Sequence, residues 1–171
     1  MKKLKILVFA VFLSLITGFA NPYIPPDNTL IKYYSALLTL NLNHSMESSK
    51  VIYYFSKEPS FDKNFLEGQL DRIQEHIGYA NSDIANIVLN TLGDQKKQID
   101  QNLKNIDEHL SQALLDIQNI RTKLDNKEDV APIISNLYYQ ISKAENVDHK
   151  EIKRILQLKD FDEPLLVVPQ K

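Results

Sequence analysis

Between residues 70 and 87 the chain sets Leu70, Ile73, Ile77, Ala80, Ile84 and Ile87 at alternating steps of three and four. That spacing keeps one apolar stripe on one side of a 3.6-residue helix and is the a/d seam of a heptad. A second run of the same kind holds Leu103, Ile106, Leu110, Ala113, Ile117, Ile120 and Leu124. The two seams are out of phase. Extending the first register forward places its a/d positions at Asn105 and Glu108, about 200° around a continuous helix from the second stripe. A single straight helix would expose one seam, so the chain is expected to turn near Leu92-Gly93-Asp94. There Gly93 can take the residue just past a helix end and Asp94 can cap the next start.

Sparse helix breakers extend this pattern to the whole chain. Asn21-Pro22-Tyr23-Ile24-Pro25-Pro26 reads as an extended lead-in, Glu58-Pro59-Ser60 as a turn, and the next proline is Pro132. Helices are therefore expected at about 28–56, 61–92, 95–124 and 130–146, with Ser60 and Asp129 as N-caps. Asp148 followed by Glu151 looks like a capping box opening a separate or kinked helix at 148–158. On helix 1 the seam is taken through Leu37, Leu40, His44 and Val51. Short connections favour antiparallel neighbours. The predicted fold is thus all-α: an antiparallel up-down four-helix bundle with room for a short fifth helix, over residues 21–160. Residues 161–171, which include Pro164-Leu165-Leu166-Val167-Val168-Pro169, form an extended C-terminal tail. It either packs on the bundle or serves as a partner-binding strand.

Helices 2 and 3 also match in detail. Aligning residues 70–87 with 103–120 pairs identical residues at Leu70/Leu103, Ile73/Ile106, Glu75/Glu108, His76/His109, Ala80/Ala113, Asp83/Asp116, Ile84/Ile117, Asn86/Asn119 and Ile87/Ile120. Heptad packing imposes the apolar matches but not the Glu-His, Asp and Asn matches. Internal duplication and convergence of two heptads both remain open.

The N-terminus changes the setting. Met1-Lys2-Lys3-Leu4-Lys5 is followed by an uncharged apolar run from Ile6 to Ile16 and by small residues at Gly18 and Ala20. This is the pattern of a secretory signal peptide at 1–20, cut after Ala20, and its apolar core is short for a stable membrane span. The mature chain is expected in the periplasm or medium, with no membrane insertion once the leader is removed. Losing Lys2, Lys3 and Lys5 moves the formal net charge from −2 to −5. An acidic chain without a basic run is a poor partner for nucleic acid or anionic lipid. The chain has no cysteine, which excludes disulfides, zinc-thiolate sites, iron–sulfur clusters and thiol nucleophiles. Burial alone must hold the fold.

Chemistry concentrates on histidine. A turn at about residue 93 brings His76 and His109 within about 1.5 Å of each other in height, both at heptad g positions, so that the two rings either meet or both point away. The turn near Pro59 puts His44 about one helical turn from His76, with Glu47 three residues on along the same face. His149 reaches a similar height only if helix 4 runs straight. His44, Glu47, His76 and His109 are therefore the candidate ligands of a site for zinc, copper, nickel or iron between facing helices. They depart from the Glu-x-x-His spacing of di-iron bundles, because His44 precedes Glu47, and Glu75 and Glu108 adjoin their histidines. The competing reading makes His76 and His109 flanking side chains and His44–Glu47 a local polar pair. Tyr33-Tyr34, Tyr53-Tyr54 and Tyr138-Tyr139 each place one ring in a seam and one at its edge. With no Gly-x-Ser-x-Gly elbow and no glycine-rich phosphate loop, no catalytic arrangement is visible. The sequence thus supports an exported, non-enzymatic bundle with a structural or protein-binding role in the cell envelope and no cofactor. The alternative is a periplasmic metal-binding bundle.

Overall fold

A computed structural model of the chain describes residues 29–58, 62–93 and 96–156. The predicted leader, the Ser60 and Asp94 caps, the His149 side chain and the C-terminal tail lie outside the described residues. Within them the chain is helical, without a strand: α1 Thr29–Phe55, α2 Lys63–Asn90, α3 Lys96–Asp125 and α4 Ala131–Val147. A π-helical turn at Asp148–Ile152 leads into a short α5, Lys153–Leu156. Each long helix lies within two residues of its expected bounds.

The local causes can be named. Asp62 caps α2, its carboxylate accepting from the Asn64 backbone N–H at 2.9 Å, and a carboxylate there also meets the positive end of the helix dipole. The cap of α2 is thus Asp62 and not the expected Ser60, and that of α4 is Val130 without a side-chain bond; the expected cap Asp129 lies one residue earlier and accepts from the Ala131 N–H at 3.0 Å. Gly93 has φ +78, the left-handed conformation that glycine adopts without steric cost. The chain can therefore reverse where the two seams lose phase.

Successive helices run antiparallel. His44 of α1 meets His76 of α2 while Phe55 meets Phe65; Arg121 of α3 reaches Glu67 of α2; His109 of α3 meets Gln140 of α4; and Tyr53 of α1 stacks on Tyr138 of α4. Contacts join α1 to α2, α2 to α3, α3 to α4 and α4 back to α1. This is the up-and-down arrangement. Its core is the predicted seams of α2 and α3 from Leu70 to Ile120, joined by Leu38, Leu42 and Ile52 of α1 and by Ile134, Leu137 and Ile141 of α4. Each tyrosine pair has one half-buried and one exposed ring, with Tyr33, Tyr54 and Tyr139 outside.

Two expectations are corrected. Asp148 does not start a new helix: its backbone is helical, its side chain is fully buried, and Oδ2 accepts from the Thr39 hydroxyl of α1 at 2.7 Å. A carboxylate turned inward to a partner on another helix is not at hand to cap its own backbone, and α4 runs on through a π turn. The seam of α1 is also displaced. The buried stripe is Ile31, Ser35, Leu38, Leu42, Ser45, Ser49 and Ile52, whereas Leu40 and Val51 are exposed and Leu37 is half-buried. Serine on the inner stripe keeps the contact face slim, and α1 makes its most extensive contact with α2.

Candidate functional site

The displaced α1 seam carries His44 to the α1–α2 flank. There its ring stacks on His76 with centroids 4.8 Å apart and planes 26° from parallel. Glu47, one turn along α1 and 80 % exposed, stands 3.9 Å from His44 Nδ1, beyond hydrogen-bond reach. Tyr79 packs edge-on against His76 at 6.1 Å and donates its hydroxyl to Glu75.

Asn41 organises the His76 side of the flank. Its amide Nδ2 donates to the Asp83 carboxylate at 2.9 Å, and an ionised carboxylate only accepts. That fixes the Asn41 carbonyl toward His76 Nδ1, 3.1 Å away, so Nδ1 carries the proton and Nε2 a lone pair. Burial pushes the His76 ring below its ordinary 6.5, the neighbouring His44 adds to the depression, and Glu75 opposes it. Burial thus works against a proton on Nε2.

His109 goes elsewhere. Its Nδ1 lies 2.8 Å from Gln140 Oε1 of α4, so His76 and His109 turn to opposite flanks of the α2–α3 pair. The four predicted ligands are thus split: His44, His76 and Glu47 stand together, and His109 stands apart. Among the described residues no group of three or more histidine, aspartate or glutamate side chains is placed to hold a metal ion. The reason is geometric. A ring nitrogen offers its lone pair in the ring plane, and two nearly parallel rings aim along separate lines rather than at one point about 2 Å from both.

Two of the matches between α2 and α3 that packing did not require, Asp83/Asp116 and His76/His109, have equivalent partners, whereas Glu75 meets Tyr79 and Glu108 meets Lys104. Asp83 is bound by Asn41 from α1, and Asp116 by Asn136 from α4 at 2.7 Å with Gln112 at 3.3 Å. His76 and His109 each meet a carboxamide oxygen, from α1 and α4 respectively. Both aspartates are buried, which raises their carboxyl groups above the ordinary 3.8, while the carboxamide donors oppose the rise. Asn41, Asn136 and Gln140 escaped the sequence reading. The usable signal was Asn41, an amide in a stretch of α1, residues 33–46, that has no aspartate, glutamate, lysine or arginine.

The remaining conspicuous surface is the outer face of α1. Leu30, Tyr33, Leu37, Leu40, His44, Glu47, Val51 and Tyr54 recur at alternating steps of three and four, a second heptad seam nearly opposite the first. Leu30, Tyr33, Leu40, Val51, Tyr54 and the adjoining Phe55 are all exposed large apolar side chains. No helix among the described residues is long and apolar enough to cross a membrane. Comparison of the chain with protein-family models, with curated proteins and with solved structures returned no match.

Proposed function

We propose that this chain is an exported, non-enzymatic helical bundle that works by binding protein through the outer face of α1. The observation that carries the reading is the pair of seams on α1, of which the more apolar is left uncovered by the bundle. A soluble fold spends exposed apolar area of this kind on association surfaces more often than on bare solvent contact. The leader pattern at 1–20 supports a location in the periplasm or medium. In vivo photo-crosslinking from position 40 tests the reading: a benzophenone side chain replacing Leu40 should yield a discrete protein adduct, and one replacing Lys104 should not. The mass of the same purified material should begin at Asn21. An unmodified position 40 in full-length cytoplasmic protein would sink the proposal.

A second reading, a divalent-metal site, is favoured by the His44–His76 contact and by the free Nε2 lone pair that Asn41 imposes on His76. An outer carboxamide that orients a ligand ring is how metal sites are often supported. Binding would require the rings to rotate out of the stack, with Glu47 as third ligand and His109 left out. Zinc or copper should then raise the melting temperature, and His76→Ala should abolish that gain while His109→Ala retains it.

A further inference from the structure

We infer that the outer seam of α1 pairs with the same seam of a second copy, antiparallel and in one register, to give a closed two-fold dimer. This rests on the protein-binding reading above and names the partner.

Periodicity speaks first. A seam stepping three and four from Leu30 to Tyr54 is matched by another helix, since two heptad seams interlock along their length. The seam is about 36 Å long at 1.5 Å per residue. The chain's own apolar tail segment, Leu165-Leu166-Val167-Val168, spans only about 13 Å when extended at about 3.3 Å per residue. That apolar run is about a third of the length of the seam.

Area speaks second. Tyr33, Leu40, Tyr54, Phe55 and the adjacent Tyr79 of α2 each keep between 49 and 57 % of their surface open. With Leu30 and Val51 they offer on the order of 600 Å², taking about 200 Å² for a whole aromatic side chain. The stretch that pairs when His44 faces Glu47 of the second copy, with those two exposed residues included, comes to about 600 Å² per partner, the lower end of specific interfaces. An isologous contact needs only one such patch, because the same surface serves both sides.

Charge fixes direction and register. Antiparallel seams pair the two heptad classes with each other, and one register sets His44 against Glu47 of the second copy. The same register sets Leu40 against Val51 and Leu37 against Tyr54, each pair occurring twice about the dyad, while Leu30 and Tyr33 lie past Phe55, the end of the second copy's α1. Sliding by one heptad buries Glu47 against Leu37 or against Val51, which leaves a carboxylate without a partner in an apolar layer. A parallel pairing sets Glu47 on Glu47 and His44 on His44. Only the chosen register pairs both polar residues with complementary partners. In the single chain Glu47 is largely exposed and 3.9 Å from His44, so its carboxylate is free to reach across.

The mature chain itself provides the test, since it has no native cysteine. Sedimentation equilibrium at tens of micromolar should give twice the monomer mass. Leu40→Cys and Val51→Cys variants, mixed and treated with a short bis-maleimide, should form the 40–51 cross-link in preference to 40–40 or 51–51. The double variant should close into a covalent dimer with no ladder of higher species. His44→Glu should weaken the dimer at least tenfold by facing two carboxylates, and adding Glu47→His should restore it. Circular dichroism of the dilute monomer should keep its helical signature, since both residues lie outside the core, so that loss of the dimer is distinguished from loss of the fold. A monomer at these concentrations overturns the inference, as does a dominant 40–40 link or a charge swap that fails to rescue. If the chain is monomeric yet position 40 captures a different protein in cells, self-pairing fails and the protein-binding reading stands. If position 40 captures nothing, both fail.

Discussion

His76 shows how one side chain inherits its chemistry from two helices. Burial between α1 and α2 disfavours the imidazolium first, and the His44 ring stacked upon it disfavours it further. Its folded pKa therefore lies below the 6.5 of the unfolded chain. In the window just under 6.5 the unfolded chain takes up a proton that the native ring resists, so this group's contribution to stability is present above 6.5 and is lost as pH falls through the folded value. The melting temperature should decline between about pH 7 and pH 5, and His76→Gln, which can still donate to Asn41, should flatten that decline. Asp83 and Asp116 act in the opposite sense. Their raised carboxyls favour the folded state at acid pH, and that contribution fades as pH rises through their folded values. The difference between wild type and His76→Gln cancels this background. An equally steep decline in the variant would assign the acid sensitivity elsewhere.

At the scale of the element, α1 holds the main lesson of the fold. Helices α2 and α3 have one apolar stripe each, with charged residues over much of the remaining surface, so their spacing alone identified the buried side. Helix α1 has three charged residues, Lys32, Glu47 and Lys50, in 27, and it carries two stripes of heptad spacing. The more apolar of them, through Leu37, Leu40 and Val51, is the natural choice for a core face, yet the bundle buries the stripe that contains three serines. A pair of alanine substitutions two residues apart tests the assignment. Leu38→Ala, at a fully buried position, should cost about 2–5 kcal/mol in denaturant unfolding. Leu40→Ala should stay within about 0.5 kcal/mol in the dilute monomer. Reversed sensitivities would return the outer stripe to the core.

Across the whole molecule, the four long helices close a ring in which α1 and α3 each pack against both α2 and α4. The Arg121 guanidinium links α3 to α2, reaching Glu67 at 3.3 Å, Asp71 at 2.6 Å and Gln74 at 2.7 Å. Carboxamides from α1 and α4 hold the equivalent His and Asp residues of α2 and α3, so the internal likeness has a counterpart in three dimensions. The helical class, the bounds of the long helices, the reversal at Gly93 and the buried faces of α2 and α3 were determined by the sequence itself, because each rests on local periodicity or on the conformational freedom of one residue. The tertiary structure decided which face of α1 is buried, why His44 meets His76 while His109 turns to Gln140, and why Asp148 serves Thr39 rather than a helix end. Periodicity reports that a face is apolar but carries no information on which neighbour will cover it. When one helix offers two such faces, the fit against its neighbours makes the choice, and every side chain on that helix rotates with it.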